Sequence, residues 1–282
     1  MHTHFCANFI SYVEPKIFTY KHSPISYYRF GKGDQVLVAF HGYGQTGEEY
    51  LYFGDALSEY FTVLAIDFFW HGASEWREDS DFTEEDMKEI VLGIAKQEKI
   101  ISRKFSVCSF SMGARMARAL VRTFPERIEN LILISPPTFI FNRFLNFTTN
   151  TAFGLMMFRY FVQHTETLMS WIIFLKQLNI LSRPVYLFSS KFIVRKERLE
   201  KVFKTWYSQR KLLTDFETFA ALINNFNIHV TLIVGKNDSI APPQKMIRYI
   251  RKLKNRKIFI IRKKHELKTP ETKRLLEKLF GE

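Results

Sequence analysis

Along this chain, short runs of apolar residues alternate with longer amphipathic stretches. Val36–Phe40 is unbroken apolar sequence, and Phe61–Ile66, Lys104–Cys108, Leu131–Ser135, His229–Val234 and Lys257–Ile261 are similar runs. Runs of this length, bounded by glycine, proline or polar residues, read as strands buried on both faces. Helical patterning fills the gaps at Gly47–Tyr60, Thr83–Lys96 and Ala114–Thr123. Thr83 with Asp86 three residues later forms a capping-box signature. Near the start, Ile17–Lys21 and Ser26–Phe30 read as paired strands, with Pro24 between them and Gly31-Lys32-Gly33 closing the second. Near the end, Pro242 and Pro243 open a helix running to about Leu253. Pro270 begins a last helix with Leu275, Leu276 and Leu279 on one face. Alternation of this kind predicts an α/β fold: a mostly parallel sheet of about eight strands with helices on both faces.

From Thr138 to about Asn227 the alternation stops. Helical patterning continues at Ala152–His164, Glu166–Leu178, Lys196–Gln209 and Asp215–Asn224, without strand signals. An insertion of about 90 residues is too long for a plain loop and reads as an all-helical cap. The expected domains are therefore a core of residues 1–137 and 228–282, and a cap of residues 138–227. Phe153, Met156, Met157, Phe161, Met169, Trp171, Phe174 and Trp206 either line an apolar tunnel in that cap or form its own core.

The candidate chemistry lies at strand carboxyl ends, where parallel sheets bind ligands. Lys104 to Arg115 reads as strand, sharp turn and helix, and the turn has the form small-x-Ser-x-Gly, with Ser109, Ser111 and Gly113. Such an elbow holds a serine on a strained backbone with its Oγ exposed above the sheet. Taken alone, Ser111 is equally a helix N-cap. Other strand ends carry His41-Gly42-Tyr43-Gly44-Gln45, Asp67 followed by His71-Gly72-Ala73-Ser74, Gly235-Lys236-Asn237-Asp238, and His265 after the last strand. Asp238 is either a catalytic carboxylate or a turn former like Asn237. His265, behind Lys263-Lys264, is either a base or a surface residue.

Together these segments resemble the α/β-hydrolase family with an inserted helical cap. The likeness covers nearly the whole chain outside the cap. It implies a serine nucleophile at Ser111, a base at His265 and an orienting carboxylate at Asp238, in the family's order Ser, Asp, His. It also implies an oxyanion hole from the backbone N–H groups of Tyr43 and Met112. His41, Gly42, Arg115 and Trp171 are candidate substrate contacts, with Arg115 otherwise a surface or salt-bridge residue and His41, like His71, otherwise a loop-shaping residue of the family. Ser109 stands where the family usually has glycine, and Lys264 replaces a glycine common before the histidine. The implied reaction is cleavage of an ester or thioester of an apolar acyl group through an acyl-enzyme. Two alternatives stay open. The elbow Ser111-Met112-Gly113-Ala114-Arg115 is similar to that of the SHCHC synthases of menaquinone biosynthesis, which implies C–C bond cleavage or elimination. A non-catalytic binding protein on the same scaffold is the other.

Composition narrows the partners. The chain has 282 residues, 46% of them hydrophobic, which suffices for a sizeable core. Two cysteines, Cys6 and Cys108, give no disulfide framework, and a reducing, cytoplasmic setting is the expectation. The first residues lack a secretory-signal pattern, and the most apolar stretches are too short to span a bilayer. A net charge of +13 suits anionic partners such as phosphorylated or CoA-linked substrates and lipid surfaces, or is simply a solvated basic surface. Peripheral membrane contact stays open. No nucleic-acid signature, metal cluster or dinucleotide fingerprint accompanies the charge, so no cofactor is expected. A small-molecule substrate is the expected partner, and the oligomeric state is not legible in the sequence.

Overall fold

The computed structural model describes residues 13–100, 102–137, 146–181, 186, 189, 195–212 and 215–280. Eight strands form one sheet: β1 Lys16–Tyr20, β2 Ser23–Phe30, β3 Gln35–Phe40, β4 Phe61–Ile66, β5 Phe105–Phe110, β6 Ile128–Ile134, β7 His229–Gly235 and β8 Arg256–Ile261. Their spatial order is β1-β2-β4-β3-β5-β6-β7-β8. The pairs β1/β2 and β2/β4 are antiparallel, and every other pair is parallel. The mostly parallel eight-stranded sheet expected from the apolar runs is thus present.

Helices cover both faces. One face carries α2 Glu84–Gln97, α3 Ala114–Thr123, α7 Phe216–Asn225 and α8 Pro243–Ile250, all contributing to one buried cluster. The other carries α1 Gly54–Leu57 and α9 Pro270–Phe280, which bury Leu57 and Leu276 against β3 and β4. The capping box of α2 is formed, since the Thr83 side chain accepts from Asp86 N–H and the Asp86 carboxylate accepts from Thr83 N–H.

Two local expectations are corrected. Pro24 does not separate β1 from β2; it lies inside β2, opposite Thr19. The turn is made earlier, where Lys21 takes a φ of +54°. Proline is tolerated because β4 pairs only with Tyr27–Phe30, leaving the start of β2 an edge on that side. The helix read over Gly47–Tyr60 is a 3₁₀ helix at Gly47–Phe53 followed by the single turn of α1. The loop after β2 fixes its end: Lys32 N–H donates to Ser58 O and Gln35 N–H to Tyr60 O, so the chain must straighten into β4.

Between β6 and β7 lie α4 Ala152–Gln163, α5 Thr165–Gln177 and α6 Lys196–Ser208, close to the helices read from the pattern. Phe158 and Val162 of α4 meet Leu199 and Val202 of α6 in a separate buried cluster, on which Tyr43 of the β3 loop also packs. By contrast, α7 places Phe216, Phe219 and Ile223 in the sheet's own cluster.

Candidate active site

The elbow follows β5 directly. Ser111 has a φ of +47°, a left-handed conformation that side chains other than glycine rarely adopt. Gly113 is required by contact. A β-carbon there would stand 2.3 Å from Phe40 O and 2.9 Å from His41 O. Ser109, in place of the usual glycine, is fully buried beside β6 and fits because it is small.

Two other strand ends converge on the same point. The His265 Nε2 lies 2.9 Å from Ser111 Oγ, and its Nδ1 lies 2.7 Å from Asp238 Oδ2. The second oxygen of Asp238 accepts from the N–H groups of Ile240 and Ala241. The carboxylate side chain is fully buried, whereas the imidazole keeps 13% exposure. The Phe110 ring lies tilted against the imidazole, with 5.0 Å between ring centres. Backbone bonds align the two loops: Lys236 N–H donates to Ile261 O and Asn237 N–H to Lys263 O. Gly235 permits this approach, because a β-carbon there would stand 2.4 Å from Lys264 O. An arrangement of this kind can move a proton from the serine hydroxyl to the imidazole while the carboxylate holds the ring's tautomer.

The loops after β3 and β4 form the opposite wall. His41 Nδ1 donates to Gly42 O, and its Nε2 accepts from Phe68 N–H. His71 repeats the pattern, donating from Nδ1 to Phe69 O and accepting from Gly44 N–H. The rings are 5.0 Å apart and almost wholly buried. Burial lowers the His41 pKa to about 4, and burial with the nearby His41 and Lys201 charges lowers that of His71 to about 3. Both rings are therefore neutral at pH 7, and both spend their two nitrogens on backbone. His41, a candidate substrate contact or loop-shaping residue, braces two loops. Gly42 N–H is held by Gln45 Oε1, and Tyr43 stands edge-on to His71 at 5.5 Å. Asp67 accepts from Gly47 N–H and Ser26 Oγ, while Gly72, at φ +54°, passes so close that a β-carbon would strike its carboxylate. The Asp67-to-Ser74 motif thus locks the loop beside the site.

A family model described as the alpha/beta hydrolase fold matches residues 35–268. The chain belongs to the α/β-hydrolase fold family. It is 30% identical over 118 residues to a pimeloyl-[acyl-carrier protein] methyl ester esterase of Aeromonas salmonicida. That match takes in 41% of this chain and 43% of the relative's length. Among solved structures it is similar to a thermophilic esterase from Thermogutta terrifontis, with a TM-score of 0.62 and 16% identity over 94% of this chain and 96% of that one. It is also similar to the thioesterase domain of the curacin biosynthetic pathway, with a TM-score of 0.63 and 15% identity over 96% and 100% of the two chains. At these identities the structures speak for the fold alone.

Some other candidate residues of this α/β-hydrolase stand differently from their sequence reading. Arg115 is not a surface residue: α3 buries it to 3% exposure, and burial beside Arg118 lowers its pKa to about 9. Its position on the helix was legible, but its depth depends on what packs over α3. Trp171 is 54% exposed on α5, edge-on to Phe174, so it points to solvent. Phe153 and Met156 also face outward, whereas Met169 and Trp206 pack on the cluster shared by α4 and α6. A groove of about 520 Å³ along α4, lined by Met156, Arg159 and Tyr160 among others, contains none of the candidate catalytic residues. Among the described residues, no group of three or more histidine, cysteine or acidic side chains could hold a metal ion. None of the described helices is long and apolar enough to cross a membrane.

Proposed function

We propose that this chain is a serine hydrolase that cleaves a carboxylic ester or thioester of an apolar acyl substrate. The reading is carried by the Ser111–His265–Asp238 relay, with separations of 2.9 and 2.7 Å. Ser111 Oγ attacks the carbonyl carbon and its proton passes to His265 Nε2. The carbonyl oxygen becomes an oxyanion facing the backbone N–H groups of Met112 and Tyr43. Collapse breaks the bond to the leaving alcohol or thiol, which takes the proton from His265. Water, deprotonated by the same imidazole, then hydrolyses the acyl-Ser111 ester. Asp238 stabilises the imidazolium in both halves.

The similarity to a methyl ester esterase supports ester chemistry, and the apolar cluster of α4 and α6 reaching Tyr43 supports an apolar acyl group. The C–C cleavage alternative leans on Arg115, which is only 3% exposed. A fluorophosphonate probe is expected to label Ser111. Ser111→Ala is expected to abolish labelling and lower aryl-ester turnover by about a thousandfold or more. Aryl-ester turnover that persists in the pure Ser111→Ala chain would overturn the reading.

A further inference from the structure

Helix α6 carries a side that the relay does not use. Its 3.6-residue period puts Val202, Thr205 and, just past its end, Gln209 on one side, and these are 0%, 0% and 1% exposed. The same side carries Arg198 and Lys201 one turn nearer the helix start. That end lies over the loops beside the catalytic serine. Leu199 and Val202 pack with Tyr43, and the Lys204 ammonium stands 5.2 Å over the Trp70 ring. The positive charge of Lys201 bears on both His41 and His71, and that of Arg198 on the Tyr43 hydroxyl.

This seam holds donors without acceptors. Thr205 Oγ1, Gln209 Nε2 and Trp70 Nε1 are buried and have no hydrogen-bond partner among the described residues. Trp70 is held there by a φ of +67°, an unfavourable backbone for a bulky residue. Lys201 as a residue is exposed, yet its ammonium is desolvated enough to lower its pKa, and it joins no ion pair among the described residues. Lys204, three residues on, is by contrast neutralised by Glu200 at 2.9 Å. Buried donors left unmatched carry a desolvation cost, which an acceptor-rich ligand removes.

We propose that Lys201, with Thr205 and Trp70, forms a subsite for an oxyanion carried by the substrate: a carboxylate or phosphate attached to the acyl ester. The subsite rests on the reading of the chain as an acyl-ester hydrolase, since it names the substrate's second recognition point. Its cation attracts the anion, and the hydroxyl and indole N–H complete the coordination. The anion then anchors the far end of the substrate while its carbonyl lies at Ser111.

The test uses the full chain with three probes: methyl butyrate, monomethyl glutarate and butyryl-CoA. The neutral ester has no anion, the second carries a carboxylate on the acyl tail, and the third carries phosphates on the leaving group. Lys201→Ala is expected to lower the kcat/KM ratio of an anionic probe over methyl butyrate by about 10- to 100-fold, chiefly through KM. Lys201→Arg is expected to restore the ratio to within a few fold. Loss confined to monomethyl glutarate assigns the anion to the acyl tail; loss confined to butyryl-CoA assigns it to the leaving group. Calorimetric titration of the Ser111→Ala chain with the two anionic probes supplies a readout free of turnover. Saturable binding there, weakened by Lys201→Ala, supports the subsite even if the wild-type chain cleaves no ester, which would defeat only the hydrolase reading. Equal loss for all three probes, or anion binding indifferent to Lys201, overturns the subsite while leaving Ser111 labelling untouched.

Discussion

A methyl group at residue 113 is the smallest change that tests the elbow. It would be driven to within 2.7 Å of both the carbonyl carbon and the oxygen of Phe40, backbone atoms of the neighbouring strand that cannot swing aside. Gly113→Ala is therefore expected to cost about 1–3 kcal/mol, read as a lower urea midpoint, and to reduce turnover because the displaced turn carries Ser111. An unchanged midpoint would mean that β3 and α3 sit further apart than described. The same contact explains why this residue was legible in the sequence: a serine at positive φ in such an elbow forces its neighbours to be small, and small residues are visible as letters. Asp238 and His265 were legible because each follows a strand and ends at one sheet edge. Arg115, Lys201 and Trp70 were not legible as buried or strained. Their state is set by helices and loops distant in sequence, and a lysine in a helical stretch looks the same over solvent as over a seam.

At the scale of elements, the joint between the β7 turn and the segment after β8 decides whether the proposed relay is aligned. The resemblance to the family implies a glycine before His265, where Lys264 stands. The close approach is supplied from across the joint instead, by Gly235, whose missing side chain leaves room for the carbonyls of Lys263 and Lys264. Gly235→Ala is expected to push the His265 segment outward and lower kcat by about tenfold or more, because a misplacement near 1 Å is costly in a preorganised site. The far-ultraviolet circular dichroism should stay that of the parent, since β7 and β8 keep their register from Val230 to Val234. A parental kcat in this variant would show that the loop tolerates the shift. Elements whose pattern is local, such as the capped α2 and the helix behind the elbow, could be read to within a residue or two. The segment at Gly47–Leu57 could not, because the hydrogen bonds that shorten it come from the loop after β2. The outward faces of α4 and α5 were also illegible: apolar periodicity says that a helix has an apolar side, not which neighbour covers it.

For the molecule as a whole, the two buried imidazoles predict how it meets acid. An unfolded histidine takes up its proton near pH 6.5, whereas folded His41 and His71 resist until about pH 4 and about pH 3. Below 6.5 the unfolded chain therefore binds more protons than the folded one, so stability is intact above that value and is lost as pH falls. The slope is about 1.4 kcal/mol per pH unit for each ring, down to its folded pKa. Lys201 stays charged through this range and adds to the resistance of both rings, while Tyr43 stays neutral. Asp67 works in the opposite sense. Burial raises its folded pKa, so the folded chain takes that proton first and recovers part of the loss near the bottom of the window. The net charge of +13 adds a general repulsion as carboxylates protonate, so the bare pH profile mixes causes. A paired comparison separates them. The His41→Gln/His71→Gln chain keeps a donor and an acceptor at each loop but has nothing to titrate there. It is expected to be less stable than the parent at pH 7.5, yet to lose stability more slowly between pH 6.5 and 4.5 in urea titrations at fixed ionic strength. Parallel profiles for the two chains would mean that the rings ionise in place and that the loops beside Ser111 are not braced by neutral imidazoles.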